Sequence, residues 1–147
     1  MDKLIAIMKI VLGTTFALYL KAHAAHWNVE GPMFPEYHRF FGELYGDLWR
    51  SVDDIAEHIR QLDAYAPGSM ERFTELSRIK SNNEILPPND VVIMLMKDTE
   101  IMIIVLTEAL HLAGQTDKQG LVNFLSGRIE VHSKQRWQLR ATAKRLA

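Results

Sequence analysis

Apolar residues recur along this chain at helical spacing, and no strand-turn-strand alternation competes with them. Leu4, Met8, Val11, Leu12, Phe16 and Tyr19 mark one face of a first helix over residues 3–29, which Gly31 and Pro32 end. A second helix starts at Phe34 or Pro35, a residue suited to a first helical turn, and runs to residue 65. Pro67 and Gly68 then break the chain, and a short helix is predicted over 70–77. Pro87 and Pro88 close the next loop; Asn89 or Asp90 is the expected cap of a third helix that reaches Ala113 and stops at Gly114. Leu121, Phe124, Leu125, Ile129, Trp137 and Leu139 give the apolar positions of a fourth long helix over 117–147.

Four long helices with one lengthy connection predict an all-α four-helix bundle. The segment between the second and third long helices crosses the bundle end to end and carries the short helix, which is a ferritin-like topology. At 147 residues, without repeats or low-complexity segments, the chain is expected to form a single domain over 1–147. Hydrophobic content of 48% excludes a disordered chain, and a net charge of −1 gives no general attraction to nucleic acid.

Absence of cysteine excludes disulfides and thiolate metal sites and fits a cytoplasmic protein. Residues 4–20 and Ala22-His23-Ala24 mimic a signal peptide, but Lys9 interrupts the apolar run and Asp2 weakens its basic start. Lys97, Asp98, Glu100 and Glu108 argue against a membrane span over 91–113.

Candidate chemistry lies on the second helix. His38 and Asp53 are separated by about 22 Å at ~1.5 Å rise per residue, yet point within roughly 60° of each other, and Glu57 within about 100°. One chain cannot close a small site with both ends. Two antiparallel copies about a two-fold axis would place His38 of one beside Asp53 and Glu57 of the other. A tight turn at Gly31-Pro32 brings His26 to the same site. Two imidazoles and two carboxylates suit iron, zinc or manganese better than calcium. Gly42, Tyr45, Gly46 and Trp49 lie between the two ends. The glycines either admit a second backbone or make room for an aromatic ring of the same chain.

His26-Trp27-Asn28-Val29-x-Gly31, then Phe34, His38 and Asp53-x-x-x-Glu57, resembles the Dps family of miniferritins. Ala66-Pro67-Gly68-Ser69 looks like the family's crossover. Arg128-Ile129-Glu130-Val131-His132-Ser133-Lys134, then Trp137-x-Leu139-Arg140-Ala141, looks like its last helix. The resemblance implies a shell of twelve subunits with ferroxidase sites at its two-fold interfaces. Such a shell oxidises Fe2+ to Fe3+, often with hydrogen peroxide in preference to dioxygen, and stores the ferric mineral. By position it makes His26 and His38 metal ligands and catalytic residues of one subunit, and Asp53 and Glu57 those of its partner. Trp27 is a candidate interceptor of stray oxidising equivalents, and His23 a candidate for orienting a ligand.

Two departures bear on this expectation. Many relatives carry an acidic residue where this chain has Gly42, which bears on a second iron position. The stretch from Asp117 to Asn123 holds only one acid, which predicts a weakly attracting iron-entry pore. Only Met1-Asp2-Lys3 precede the first helix, so no lysine-rich DNA-binding tail is expected. Lys134, Arg136, Arg140, Lys144 and Arg145 are a solvated face or a weak, salt-sensitive phosphate contact. The alternative function is therefore a non-enzymatic, DNA-compacting Dps-like assembly. A di-iron site inside one subunit needs two Glu-x-x-His motifs, and only Glu108-x-x-His111 is present.

Overall fold

A computed structural model describes residues 1–144. Arg145 and the end of the predicted last helix lie outside the described residues. The chain forms α1 (Asp2–Asn28), α2 (Phe34–Gln61), α3 (Met70–Leu76), α4 (Pro88–Ala113) and α5 (Gln119–Ala143), and the described residues contain no strand. α1 packs along α2 and α4, α4 packs along α5, and α3 rests on α1 within the crossover. This is the expected ferritin-like four-helix bundle. Its core is filled by Met8, Leu12, Phe41, Leu48, Ile55, Met102, Leu106 and Leu125.

Local chemistry explains the boundaries. Gly31 has φ +118, a conformation L side chains rarely adopt, so it turns the chain between α1 and α2. α2 stops at Gln61, four residues before the expected end, because Asp63 takes a left-handed φ of 59. Arg60 then donates to the Ala64 carbonyl (2.7 Å) and covers the Tyr65 ring. Ser69 caps α3 by accepting from the Arg72 amide. Gly13 permits the seating of α3, since a Cβ there would stand 2.9 Å from Leu76 Cβ. Neither Asn89 nor Asp90 caps α4: the helix starts one residue before them, at Pro88, whose missing N–H costs nothing in the first turn. Gly114 ends α4 in right-handed conformation, so its backbone freedom is not used. α5 begins at Gln119, two residues later than expected.

The buried face of α5 differs from the apolar pattern. Leu121, Leu125, Arg128, His132, Gln135 and Leu139 point inward, whereas Trp137 is 55% exposed. Two of the three polar residues bind a single acid on α2. Arg128 donates through both terminal nitrogens to the two Asp47 carboxylate oxygens, each at 2.9 Å, and Gln135 donates to Asp47 Oδ2 at 2.9 Å. Burial alone would raise the Asp47 pKa; the Arg128 fork and Gln135 amide outweigh it and hold it below the ordinary value. Arg128 also donates to His132 Nε2 at 3.0 Å, which leaves the proton on His132 Nδ1. That buried nitrogen has no hydrogen-bond partner among the described residues. Burial, then the Arg128 cation, lower the His132 pKa to about 3.

α1 is long and apolar enough to cross a membrane by composition alone, but Leu4, Ile7, Met8, Val11 and Leu12 are bundle core. Within that core Lys21 pairs with Asp98 of α4 at 2.5 Å and donates to the Lys80 carbonyl of the crossover. Burial raises the Asp98 pKa, and Lys21 opposes the rise.

Candidate metal centre

The turn at Gly31 places the last turn of α1 against the first turn of α2, and each end supplies one imidazole. His26 Nδ1–H donates to the His38 carbonyl at 2.6 Å, and His38 Nδ1–H donates to the His26 carbonyl at 2.7 Å. Carbonyl oxygens only accept, so both protons lie on Nδ1 and both Nε2 atoms remain for a metal. The rings stack at 3.7 Å between centroids and 18° between planes. Phe34 flanks His38 at 4.8 Å. The reciprocal bonds fix both tautomer and orientation, so half of the expected donor set is organised within one chain.

Gly42 belongs to this half-site. A Cβ there would stand 3.2 Å from both Cε1 and Nδ1 of His26. Its open space is therefore filled by a ring of its own chain. Gly46 differs: only the Arg50 side-chain tip would meet a Cβ there, at 3.3 Å.

The carboxylates lie elsewhere. Asp53 and Glu57 are carried by the same unbroken α2, toward its far end, and both are exposed. Neither forms a side-chain hydrogen bond or ion pair among the described residues. No three His, Cys, Asp or Glu side chains of the described chain converge on a metal position. One chain thus joins the histidines and keeps the acids apart from them. Glu108 and His111, the one Glu-x-x-His motif, lie on the surface, not in the bundle interior. Glu108 is ion-paired with Arg78 at 2.6 Å, and His111 Nε2 accepts from Gln115 at 3.1 Å.

His23 makes no hydrogen bond to His26; the tilted rings stand 6.1 Å apart between centroids. The orienting contacts come instead from the two backbone carbonyls, which no side-chain pattern could reveal. His23 is packed between Tyr45 (3.8 Å, 13°) and Trp27 (4.0 Å, 34°), with Tyr19 Oη 3.0 Å from its Nδ1. Burial, then the neighbouring His26, lower its pKa. Trp27 is 58% exposed in the single chain, and Asp117 is exposed with Lys118 beside it at 3.6 Å.

Four long helices with one long crossover between the second and third form a ferritin-like bundle. Residues 5–147 match the ferritin-like domain family. The chain is 32% identical over 124 residues to DNA protection during starvation protein 2 of Bacillus anthracis, covering 84% of this chain and 85% of that one. It is 34% identical over 132 residues to an uncharacterized low temperature-induced protein of Nostoc, covering 88% and 74%. Among solved structures it is similar to the Dps protein of Vibrio cholerae O1, with 28% identity, a TM-score of 0.93, and coverage of 97% and 90%. That protein is described as a member of a broad superfamily of ferritin-like diiron-carboxylate proteins. The chain belongs to the Dps, or miniferritin, family.

Proposed function

We propose that the protein is a ferroxidase and iron-storage shell that oxidises Fe(II), with hydrogen peroxide as the preferred oxidant, and retains the ferric product. The observation that carries this reading is the reciprocal hydrogen bonding of His26 and His38, which leaves two parallel imidazoles with free Nε2 atoms. Iron storage and ferroxidase chemistry at the level of the family agree with it.

In this reading the substrate ion is held by His26 and His38 of one subunit and by Asp53 and Glu57 of a second copy. The histidines supply nitrogen donors whose direction is set before iron arrives. The carboxylates supply negative charge, which favours the more highly charged ferric product. Two ferrous ions deliver the two electrons that reduce one peroxide to water, so hydroxyl radical is not released. A dodecamer is the assembly proposed, and the cytoplasm its location. Apolar exposure on the α1–α2–α3 side, at Leu20, Trp49 and Met70, supports a covering second copy there.

The test is anaerobic loading with Fe(II), then hydrogen peroxide, with ferric absorbance followed in time. Rapid oxidation to a soluble product at a fixed iron-to-subunit ratio is expected. A rate equal to the protein-free control overturns the proposal. DNA compaction through exposed Lys134, Arg140 and Lys144 would then be the function to measure.

A further inference from the structure

Beside the histidine pair runs a line of aromatic rings. His26 meets Tyr45 edge-on at 5.1 Å, Tyr45 stacks on His23 at 3.8 Å, and Tyr19 lies 6.4 Å from Tyr45 and 5.1 Å from Trp49. The line joins the half-site to the α1–α2 surface at Trp49, which is 56% exposed. Only one phenol in it has an imidazole in hydrogen-bond reach, Tyr19 with His23 Nδ1 at 3.0 Å.

That pairing has a chemical consequence. A phenol that loses an electron becomes a strong acid, so its oxidation is easy only where a base takes the proton at once. His23 Nδ1, 3.0 Å from the Tyr19 hydroxyl, is the atom placed to take that proton. Both faces of the ring are covered by Tyr45 and Trp27, which fixes Nδ1 toward Tyr19.

We propose that Tyr19, paired with His23, is a built-in one-electron donor that completes peroxide reduction when a single ferrous ion occupies the site. The proposal rests on the iron-oxidising function above. Peroxide requires two electrons and two protons to become two waters. Fe(II) gives one electron and becomes Fe(III). Tyr19 gives the other by tunnelling across the Tyr45 ring to His26, a path that uses the ring of residue 45 and not its hydroxyl, so a phenylalanine there preserves it. The Tyr19 phenolic proton passes to His23 Nδ1 and counts as one of the two consumed; the second comes from solvent. The products are Fe(III), a neutral Tyr19 phenoxyl radical and two waters. The oxidising equivalent then rests on a sheltered ring rather than on a diffusing hydroxyl radical.

The experiment mixes the full-length assembled protein, loaded with one Fe(II) per site, with hydrogen peroxide. Samples are freeze-quenched for electron paramagnetic resonance while ferric absorbance is read in parallel. Expected is a tyrosyl signal that narrows on ring-deuterated tyrosine. It should be lost in Tyr19→Phe, reduced in His23→Gln and kept in Tyr45→Phe. Peroxide consumed per iron should fall in Tyr19→Phe. The phenylalanine keeps the ring and its packing against Phe16 and Trp49. Ferric iron formed without a tyrosyl signal, a signal that survives Tyr19→Phe, or one lost in Tyr45→Phe overturns the assignment and leaves the ferroxidase function standing. No ferric iron in the unmodified protein overturns that function and this proposal together.

Discussion

The two ends of α2 treat their candidate ligands in opposite ways. At the N-terminal end His38 is half-buried, locked to the α1 backbone and stacked on His26. Toward the C-terminal end Asp53 and Glu57 are exposed, without a partner among the described residues. Imidazoles carry two distinct nitrogens, so a backbone carbonyl can hold one while the other stays free. Carboxylates have no such spare donor; tying them to the chain would occupy the oxygens a metal needs. One end is therefore prepared in advance, while in the proposed site the other would be completed by a second copy.

Removing a ligand at either end tests that contrast most severely. His38→Ala or Asp53→Ala should each reduce iron oxidation to the protein-free rate in a stopped-flow assay, with assembly size by light scattering unchanged. Co-assembling the two variants should restore part of the rate, because some sites then receive all four ligands. Normal rates in both single variants would refute a site divided between ends.

On another face of α2, Asp47 is tied to α5. Arg128→Ala strands Asp47, which is partly exposed, and a loss of about 2–3 kcal/mol is expected in urea unfolding. A change below about 0.5 kcal/mol would show that the α2–α5 fork is not what holds the helix.

The pH dependence comes next. His132 is held unprotonated in the folded chain, with a pKa lowered to about 3, whereas the unfolded chain takes up a proton near pH 6.5. Unfolding is therefore favoured as pH falls. Stability should be full above about pH 6.5 and decline by about 1.4 kcal/mol per pH unit toward pH 3. His132→Gln should flatten that slope in urea midpoints measured across the range. Asp47, whose pKa is depressed, adds a loss only at the acid end of the range.

The smallest effects separate the two glycines. Gly46→Ala, open in the single chain, should raise helix stability by about 1 kcal/mol unless a second copy packs there, in which case assembly size falls. Gly42→Ala pushes on His26, so ferrous affinity by anaerobic titration should drop a few-fold with stability little changed.

Much of this is legible in the amino-acid sequence. The 3.6-residue spacing placed every long helix, and the sheer separation of His38 from Asp53 on one helix already separated the candidate ligands into two groups. Three things were not legible. Hydrophobic pattern reads α5 through Trp137, yet the inward face runs through Arg128, His132 and Gln135, whose 4-3-4-3-4 spacing with the flanking leucines was the available signal. The orientation of the histidines came from backbone carbonyls, which every residue possesses and no sequence distinguishes. Asp63 shows a third limit: a left-handed turn at an aspartate ended α2 early without Gly or Pro to announce it.

On the proposed function, placing the prepared and the unprepared donors on one stiff 28-residue rod would make the chemistry depend on concentration. A newly made subunit would carry half of each of two sites and a whole one of neither. Its capacity to generate oxidised iron at such a site would be zero until it met another copy, and would rise with the square of subunit concentration while pairs were scarce. Synthesis could then run ahead of assembly without scattering reactive iron centres, because the encounter that creates the proposed container would also switch on the reaction it is meant to contain.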